Sequence, residues 1–578
     1  MADFEVPVLI VGGGGTGLTT SIMLSEYGID HMLVERHDST SELPKAHYLN
    51  PRTMEILRQF DIAEEVYAQG IPLNHMSKVE WRTTLTGRGP FDGKQLFEME
   101  CFGAGDSTAE YRRNSVCPPT NLPQLRLEPV LRAQAQSRNP HGVKFGHELV
   151  TLIHDDRGVN ATVRDLANDE IHSVRAQYVV GADGGKTMGQ LLGIAMVGPS
   201  KIFETITAHF CADLSSWWNE GVIIAHFLPS GGRLVPMGPT WGPGSQEWTA
   251  HFAVLPGQPV PDDAAIVAKI GELIGTDVDI TVKKISHWWA ESTIAERYQD
   301  GRILLVGDSA HRLPPTTGLG LNSGIQDVHN LAWKLAAVLR GDAPPRLLDS
   351  YGAERQPVGL RNVEWAMFAA QNHLAIDAGF GLIPFPLPPE VDALIVGGYF
   401  DEGLVGEARR ARFRTIVETQ CIEFCAQELE MGYAYAGGAL VADGSAPPTG
   451  DPLGQVYRPT TRPGHRLPHA WLERAGQRLS THDLIGAGDT GVLITGSRGG
   501  AWIAAAAEVA EKLGVSIATA QIGATHRDVD GQWDIACEVD DDGAVLVRPD
   551  NHVAWRSLSS SDQPVLALAA AVEAVLAR

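Results

Sequence analysis

Residues 6–36 read VPVLIVGGGGTGLTTSIMLSEYGIDHMLVER, and this stretch decides the fold. The apolar, β-branched run at residues 6–11 predicts a strand that is buried on both of its faces. A glycine-rich loop follows it, then a helical pattern over residues 18–27 that Gly28 ends, and then a second strand that ends at Glu35. This order of strand, loop, helix and strand predicts a Rossmann-like α/β unit.

The loop between the first strand and the helix has the pattern GxGxxG, which is typical of dinucleotide-binding proteins. Its glycines permit a tight turn, a close approach of the backbone to a pyrophosphate, and close packing of helix on strand. The start of the helix offers free N–H groups and a partial positive charge to the phosphates. Glu35 follows Gly12 by 23 residues and can accept hydrogen bonds from an adenosine ribose. The pattern fits NAD and FAD alike. We assign to this loop the binding residues Gly12, Gly14, Gly15, Thr16 and Gly17.

Two further apolar runs end in Gly and Asp. AQYVVGADGG places Asp183 after a strand, and GRILLVGDSAHRLPP places Asp308 after another. At the carboxyl edge of a parallel sheet such an aspartate can bond a sugar-alcohol hydroxyl, for example in the ribityl chain of FAD. Either aspartate can equally be a cap that stabilises its own turn. Three loops of this kind suit a cofactor larger than NAD.

The motifs GGGGTG with Glu35, LPQLRLEPVL, GADGG and GDSAHRLPPTTGLGLNSGIQDVHNLAWKLA carry a family resemblance. The chain resembles the flavin-dependent aromatic hydroxylases with the para-hydroxybenzoate hydroxylase fold, and within them the phenol hydroxylase and 2,4-dichlorophenol 6-monooxygenase branch. The resemblance implies an α/β fold with three parts. These are a Rossmann-like FAD-binding domain, an inserted antiparallel-sheet substrate domain, and a C-terminal thioredoxin-like domain.

The resemblance also implies a reaction, the hydroxylation of a phenol-like ring by O₂ through a flavin C4a-hydroperoxide. NADPH or NADH would be the transient electron donor. By the same resemblance Gln124 contacts the flavin, Asp308 the ribityl chain, Asp183 the pyrophosphate and the NAD(P)H approach, and Arg36 the adenosine half. The chain departs from the family pattern after Asp183, where Lys186 and Thr187 replace the usual Ser and Arg. Lys45 stands where relatives often carry Arg, and we expect it to serve a phosphate from outside.

The long motif that begins at His311 turns from a Pro- and Gly-rich loop into an apolar-periodic helix. We expect the loop to lay bare backbone against the flavin, where side chains would clash. The following helix start would stabilise negative charge on the flavin. The residues assigned to this role are Pro315, Gly318, Gly320, Leu321 and Asn322.

The reaction calls for a base that removes the phenolic proton and titrates near neutral pH, as histidine does. His47 stands where the phenol hydroxylase branch often has an Asp, and it is our candidate. The alternative is that His47 only hydrogen-bonds the flavin or lines the cavity. His226 and His251, on strands of the pocket sheet, are weaker candidates, since each can be a satisfied interior histidine. Six tryptophans crowd the same region and suit an aromatic pocket: Trp217, Trp218, Trp241, Trp248, Trp288 and Trp289.

Composition limits the partners. The 578 residues have a net charge of −24, which argues against nucleic acid and against an anionic membrane surface. We find no apolar run of about 18 residues that would span a bilayer, and six scattered cysteines suit a reducing cytoplasm. CxxC and HExxH do not occur, so we expect no metal site and no disulfide chemistry. The expected partners are a small aromatic substrate and further copies of the chain, in a dimer or a larger oligomer.

We place the FAD-binding domain at residues 1–185 with 296–365, and the substrate domain at 186–295 joined by part of 75–110. Residues 366–400 would be a helical linker containing FPLPPE, and 401–578 the thioredoxin-like domain. Two classes compete with the hydroxylase. One is another flavoenzyme of the same fold, such as a halogenase, an oxidase or a reductase. The other is a non-catalytic FAD-binding protein.

Overall fold

The strand Phe4–Val11 lies inside an eight-stranded sheet. In this computed structural model the chain is described at residues 2–254, 257–382, 389–486 and 488–578. Val8, Leu9 and Ile10 are fully buried because helices cover both faces of the parallel part of the sheet. From one edge to the other, the strands are Gln299–Asp300, Ile303–Leu305, Ile171–Gly181, Phe4–Val11, His31–Glu35 and Val143–Phe145. The antiparallel strands Gly158–Asp165 and His147–Asp155 extend the sheet beside Ile171–Gly181.

The three glycine-containing loops leave this sheet side by side. Gly12 N donates to Val34 O at 2.8 Å, Ala182 N to Val11 O at 2.8 Å, and Val306 N to Gly181 O at 3.0 Å. These bonds continue the parallel ladders by one residue beyond the strands. They bring the GGGGTG, GADGG and GDSAH loops to one edge.

Two long helices begin at that edge. The helix Gly15–Glu26 starts three residues earlier than the pattern predicted, because the glycines of the loop themselves adopt helical geometry. The helix Leu319–Arg340 follows the loop after His311, and its Ile325, Val328, Leu331 and Leu335 are buried. The helix Gln124–Arg138 packs against the same core.

A second, seven-stranded sheet is largely antiparallel. It takes two strands from before residue 110, one of which pairs in parallel with Val222–Phe227. In spatial order its strands are Thr281–Trp289, Glu204–Cys211, Glu247–Val254, Arg233–Gly238, Val222–Phe227, Lys78–Arg82 and Gln95–Glu100.

Among the described residues between 349 and 418, three helices follow. The helix Asp349–Phe380 runs through the start of the predicted linker, and Pro389–Phe400 and Leu404–Glu418 come after it. Residues 385–388 of FPLPPE lie outside the described residues. Two short helices, Cys421–Phe424 and Gln427–Met431, then lead towards the C-terminal unit.

The C-terminal unit has a four-stranded sheet flanked by the helices Gly500–Leu513 and Pro564–Val575. Its strands, in spatial order, are Ile517–Gln521, Gly491–Thr495, Ala544–Val547 and Val553–Ser557. A smaller sheet beside it consists of Gln477–Ser480, Trp471–Arg474 and Arg527–Asp528.

The remaining elements are short. The strands are Tyr48–Leu49, Thr120–Asn121, Met196–Val197, Thr293–Ala295 and His311–Arg312. The α-helices are Pro51–Gln59, Ala63–Gln69, Thr108–Asn114, Met188–Leu192, Asp263–Ile274 and Gln532–Ala536. The 3₁₀ turns are Leu73–His75, Gly105–Ser107, Gly242–Gly244, Gly307–Ser309, Thr316–Gly318, Pro345–Leu348 and Thr481–Asp483. The mixed α/β class expected from the sequence is confirmed, and none of the helices in the described ranges is long and apolar enough to cross a membrane.

Candidate active site

The first glycine loop is shaped by contacts that only glycine allows. Gly12 has φ +110°, and a Cβ built on it would lie 2.3 Å from Ala182 O. A Cβ on Gly17 would lie 1.9 Å from Gly12 O. These two glycines therefore serve the turn and the packing of helix on strand, as the motif predicts.

Two other glycines face open space at the helix starts. A Cβ on Gly14 would meet nothing closer than Glu128 Oε1 at 3.5 Å, and one on Gly320 would meet nothing within 4 Å. Each position leaves bare backbone beside free N–H groups at a helix N-terminus. These two helix starts form two cradles. The cradle at Gly14 fits a pyrophosphate, and the cradle at Gly320 fits the charged edge of a flavin.

The two cradles are neighbours, although about 300 residues separate them in the sequence. A Cβ on Gly15 would lie 2.8 Å from Leu321 Cδ1. Thr16 fills the space beside two more glycines, since a Cβ on Gly307 or Gly324 would come within 2.8 or 2.5 Å of Thr16 Oγ1. One elongated ligand can therefore contact both loops.

Glu35 lies at the loop, as its spacing predicted. Its Oε2 accepts from Gly13 N at 2.7 Å, and its Oε1 accepts from His37 N at 2.9 Å. Arg36 beside it is exposed. The carboxylate is thus held at the carboxyl end of its strand, where a ribose would lie.

Gln124 is tied to the same helix start through Glu128, a residue that sequence reasoning missed. Glu128 is buried, and it accepts from Gly15 N at 3.1 Å, Ser41 N at 2.8 Å and Gln124 Nε2 at 2.5 Å. Its place four residues after Gln124 in LPQLRLEPVL, on the same helix face, is the signal that could have found it. Glu128 orients Gln124 towards the cofactor cradle.

The two candidate aspartates differ. Asp183 accepts from Gly185 N, Thr187 N and Met188 N at 2.9, 2.6 and 2.9 Å, and from Ser309 Oγ at 2.9 Å. Its carboxylate is used by its own turn, the capping role left open by the sequence. Asp308 is exposed in the 3₁₀ turn Gly307–Ser309, and its carboxylate makes no hydrogen bond with any described residue. Asp308 is therefore the aspartate that is free for a ligand hydroxyl.

Three cations converge near Glu35 and Asp183. Burial lowers the pKa of Lys186, and the charges of Arg36 and Lys45 lower it further. None of the three side chains forms an ion pair within the described ranges. They are suited to phosphate groups at this mouth of the site.

Asn322 connects the helix Leu319–Arg340, called the flavin-side helix, to the segment that carries His47. Its Nδ2 donates to Tyr48 O at 2.9 Å and to Gly318 O at 2.6 Å, while its Oδ1 accepts from Asn50 N at 3.1 Å. Gly318 follows Pro315 in the loop, has φ +63°, and a Cβ there would press on the ring of Tyr48 at 3.1 Å. Leu321 is the third residue of its helix, so its N–H lacks an intrahelical acceptor.

His47 lies close to Arg233 and His251 of the seven-stranded sheet and is neutral there. Burial lowers the pKa of His47 to about 4, against a smaller opposing effect of its hydrogen bond to Asn121. Its Nδ1 lies 2.6 Å from Asn121 Oδ1. Since an amide oxygen accepts, Nδ1 carries the hydrogen and Nε2 keeps a free lone pair. The expected titration near pH 7 does not hold, and the role of base stays a prediction.

His226 and His251 flank Arg233 on the two neighbouring strands, since each is its cross-strand partner. Burial places the pKa of each well below its usual value, with the positive charge of Arg233 acting in the same direction. His251 is bonded to Thr207 and Thr249 through its two ring nitrogens, each at 3.1 Å. His226 stacks on Trp81 with a centroid distance of 5.3 Å, and its Nε2 has no partner in the described part of the protein.

The predicted tryptophans do not all lie beside these histidines. Trp218 and Trp248 are buried in the core on the helix side of the sheet, with ring centroids 4.6 Å apart. Trp288 donates to Thr207 Oγ1 at 3.1 Å, whereas Trp289 is exposed. Trp81, which the sequence did not single out, forms the aromatic wall beside His226.

Arg233 and Glu423 are charged residues beside these histidines that sequence reasoning also missed. Arg233 lies on the strand Arg233–Gly238, and burial lowers the pKa of its guanidinium, with Glu423 acting in the opposite direction. Among the described residues Arg233 forms no salt bridge within 4.0 Å. The short helix Cys421–Phe424 brings Glu423 and Phe424 to the same place, and the ring centroids of Phe424 and Trp81 are 6.2 Å apart. The surroundings of Arg233 are therefore aromatic, and its guanidinium has no salt-bridge partner among the described residues.

Two family models match the chain. The one described as FAD binding domain matches residues 5–366, and the one described as aromatic-ring hydroxylase, C-terminal, matches residues 460–578. The first covers both cradles, the LPQ segment and the GDSAH loop. The fold and the site thus define an FAD-binding oxidoreductase.

Relatives match over nearly the whole chain. Phenol 2-monooxygenase of Pseudomonas sp. (strain EST1001) is 33% identical, with 98% of this chain and 92% of that protein covered. Tetracenomycin A2 monooxygenase-dioxygenase of Streptomyces glaucescens is 33% identical, with 100% and 98% covered. The solved flavin-dependent monooxygenase PieE, in complex with FAD and substrate, superposes with a TM-score of 0.93 at 37% identity over 100% of both chains.

The chain belongs to the family of FAD-binding aromatic-ring hydroxylases. It is a flavin-dependent aromatic monooxygenase that uses FAD, O₂ and a reduced nicotinamide donor. The resemblance to the phenol hydroxylase and 2,4-dichlorophenol 6-monooxygenase branch is confirmed, since relatives with both names are among those that match.

Proposed function

We propose that the substrate is an acidic phenol, bound as its phenolate in a cavity lined by His47, His226 and His251, with the oxygen paired to Arg233. The observation that carries the proposal is the guanidinium of Arg233, which has no salt-bridge partner among the described residues while three neutral histidines surround it. An unpaired cation in such a place costs on the order of several kcal/mol. A bound oxyanion would offset that cost.

The proposal also agrees with the chemistry of ring hydroxylation. Removing the phenolic proton makes the ring more electron-rich and therefore more reactive towards an electrophilic oxygen. Arg233 would lower the pKa of the bound phenol by stabilising its anion. The named relatives act on phenol and on 2,4-dichlorophenol, which supports a phenol-like substrate.

His47 would orient the substrate hydroxyl. With Nδ1 donating to Asn121 Oδ1, the free Nε2 of the neutral ring is a hydrogen-bond acceptor for an O–H group. The ring would thereby orient the neutral phenol as it enters; the phenolic proton is then lost to solvent and the oxygen pairs with Arg233. His226 and His251 would fill the remaining walls as neutral side chains.

The cofactor would contact both helix starts. Gly12, Gly14, Gly15 and Glu35 would hold the adenosine and pyrophosphate half, Asp308 the ribityl chain, and Gln124, Gly320, Leu321 and Asn322 the ring system. Bound FAD supplies the hydride acceptor and the activation of O₂. Lys186, Arg36 and Lys45 would steer the phosphates of the nicotinamide donor to the mouth of the site.

We extend the proposal to the finer architecture. The seven-stranded sheet would be a substrate domain inserted into the FAD-binding domain, within the boundaries predicted above. The C-terminal unit would be thioredoxin-like, since its central strand Gly491–Thr495 pairs in parallel with one neighbour and antiparallel with the other. We also propose a homo-oligomer, supported by exposed Leu394, Leu404 and Val405 on the helices after residue 388.

The experiment uses the FAD-loaded enzyme and follows the flavin absorbance during anaerobic titration with phenol and with the more acidic 2,4-dichlorophenol. We expect the wild type to bind the more acidic phenol more tightly. Arg233→Gln should weaken that binding at least about tenfold, or about 1.4 kcal/mol, whereas Arg233→Lys should keep most of it. Equal binding by wild type and Arg233→Gln would contradict the proposal, as would a wild-type flavin that responds to neither phenol.

A further inference from the structure

Glu423 lies where residues 421–431, called the C-terminal segment, pack on the loop of residues 313–318, called the flavin-side loop. It belongs to the short helix Cys421–Phe424, and its side chain is almost fully buried. Residues Ala426 and Leu429 of the same segment pack on Leu319, at the start of the flavin-side helix. A carboxylate from outside the FAD-binding motifs thus reaches the loop that those motifs form.

The two oxygens of Glu423 have different partners. Oε2 is paired with His373 Nε2 at 2.6 Å, and Oε1 accepts from Thr317 N at 3.4 Å. His373 lies on the helix Asp349–Phe380, and its ring is 5.5 Å from the ring of His226 in the cavity. Glu423 therefore joins the loop to the edge of the cavity.

Thr317 is the strained residue of the loop. It is buried, β-branched, and has φ +67°, a conformation that is strained for such a residue. It lies between Pro315 and Gly318, both assigned to the flavin. Thr316 Oγ1 donates to Ala366 O at 2.5 Å, and Thr317 Oγ1 donates to Thr316 O. The turn is also held by Gly318 N donating to Pro315 O at 3.3 Å, by Asn322 Nδ2 donating to Gly318 O, and by the bond to Glu423.

Glu423 also interacts electrostatically with Arg233. Burial alone would raise the pKa of Glu423, but His373 and then Arg233 bring it below its usual value. Conversely, the carboxylate of Glu423 opposes the effect of burial on Arg233. The geometry agrees, since His226 is the cross-strand partner of Arg233 and its ring lies 5.5 Å from that of His373, which is bonded to Glu423. Among the described residues the two side chains form no salt bridge within 4.0 Å.

We propose that Glu423 is a positioning residue: its carboxylate responds to the charge at Arg233 and thereby changes how firmly the flavin-side loop is held. This inference rests on the proposed function, because it requires a phenolate at Arg233. In the empty cavity the carboxylate is drawn partly towards Arg233. A bound phenolate neutralises Arg233 and repels Glu423, which leaves His373 and Thr317 N as its favourable partners. The strained turn is then held more firmly when substrate is present, so substrate binding promotes the loop geometry in which the flavin is reduced.

Glu423→Gln tests the proposal, since glutamine keeps the size and one acceptor oxygen but removes the charge. In the FAD-loaded enzyme, stopped-flow absorbance measures flavin reduction by NADPH with and without 2,4-dichlorophenol, and titration gives the Kd of the phenol. We expect the phenol to bind severalfold more tightly, because the carboxylate no longer competes for Arg233. At the same time the acceleration of flavin reduction by the phenol should fall to nearly onefold. A purely structural residue would instead weaken binding and lower both reduction rates together.

Glu428→Gln is the matched control, because Glu428 belongs to the same segment and lies near Arg361 and Arg458, away from the cavity. It should behave as the wild type. If Glu423→Gln loses FAD, the double variant with Thr317→Gly removes the strain of the turn, and the same two measurements apply to it. A wild-type flavin that responds to no phenol overturns the proposed function and this inference together. A responsive wild type with unchanged acceleration in Glu423→Gln, or with weaker phenol binding, overturns this inference alone.

Discussion

His47 shows how burial changes the role of a residue that a motif selects. Its position was found by resemblance, and its type suggested a base that titrates near pH 7. In the folded chain burial lowers the pKa of His47 to about 4, and Asn121 fixes its tautomer. The residue is therefore an acceptor of a hydrogen bond at neutral pH and stores a proton only in acid.

Replacing His47 by Asn should keep FAD bound and uncouple NADPH oxidation from product formation. Asparagine lacks the ring nitrogen that orients the substrate hydroxyl, while the cofactor cradles are untouched. Product per NADPH, measured with H₂O₂ release between pH 6 and 9, should fall several-fold. The wild-type coupling should not change with the titration of His47 in this range, because its pKa lies below it. Full coupling in His47→Asn would contradict a role of His47 in orienting the substrate.

Arg233, Glu128 and Glu423 mark the limit of sequence reasoning at this scale. Glu128 sits inside a quoted motif, four residues from Gln124, and helical spacing could have found it. Arg233 and Glu423 are about 190 residues apart and belong to no motif. Only the packing of the sheet against the C-terminal segment brings their charges together.

At the scale of elements, the strand–loop–helix–strand order was predictable because each part has its own local signal. Apolar runs predicted the parallel strands, and the glycine pattern predicted the loop, for which contacts under 2.5 Å at Gly12 and Gly17 give the physical reason. The start of the helix at Gly15 was missed, since glycine is a poor signal for a helix. The two strands that enter the second sheet from before residue 110 were expected only by family resemblance.

The glycines of the first loop should separate folding from cofactor binding. Gly14→Ala places a methyl group in the open cradle, with no protein atom closer than 3.5 Å, so the apoprotein should keep its Tm. Its FAD affinity should fall at least about tenfold, because the methyl group occupies the space of the pyrophosphate. Gly17→Ala meets a backbone oxygen at 1.9 Å and should lower the Tm of the apoprotein itself. FAD titration by fluorescence and thermal scans of the apoproteins provide the comparison, and equal behaviour of the two variants would refute it.

At the scale of the whole molecule, buried charges join the C-terminal unit to the FAD-binding part. Arg466 pairs with Glu55, and Arg548 pairs with Glu354 at 2.7 Å, all fully or almost fully buried. Removing one partner of such a pair typically costs about 3–5 kcal/mol. No sequence pattern pointed to this interface, because its residues lie in separate segments.

The buried histidines of this interface and of the cavity should make the protein sensitive to acid. Burial lowers the pKa of His47 and His482 to about 4, and of His329 and His469 to about 3. Each folded pKa lies below the unfolded value of about 6.5, so the unfolded chain binds more protons in acid. The stability that these groups contribute is present above pH 6.5 and is lost as the pH falls towards 4. At pH 5 the loss is about 2 kcal/mol for each histidine.

His469→Gln should reduce that sensitivity, since glutamine stays neutral and can keep the hydrogen bond that His469 Nδ1 shares with Ser480 Oγ at 2.8 Å. Thermal scans and urea unfolding at pH 7 and pH 5 measure the change. The wild type should lose stability steeply between the two values, and the variant should lose about 2 kcal/mol less. His141→Gln is the control, because His141 is exposed, and it should follow the wild type. Identical losses in all three proteins would show that His469 is not held neutral by the fold, because an exposed and a buried histidine would then respond alike.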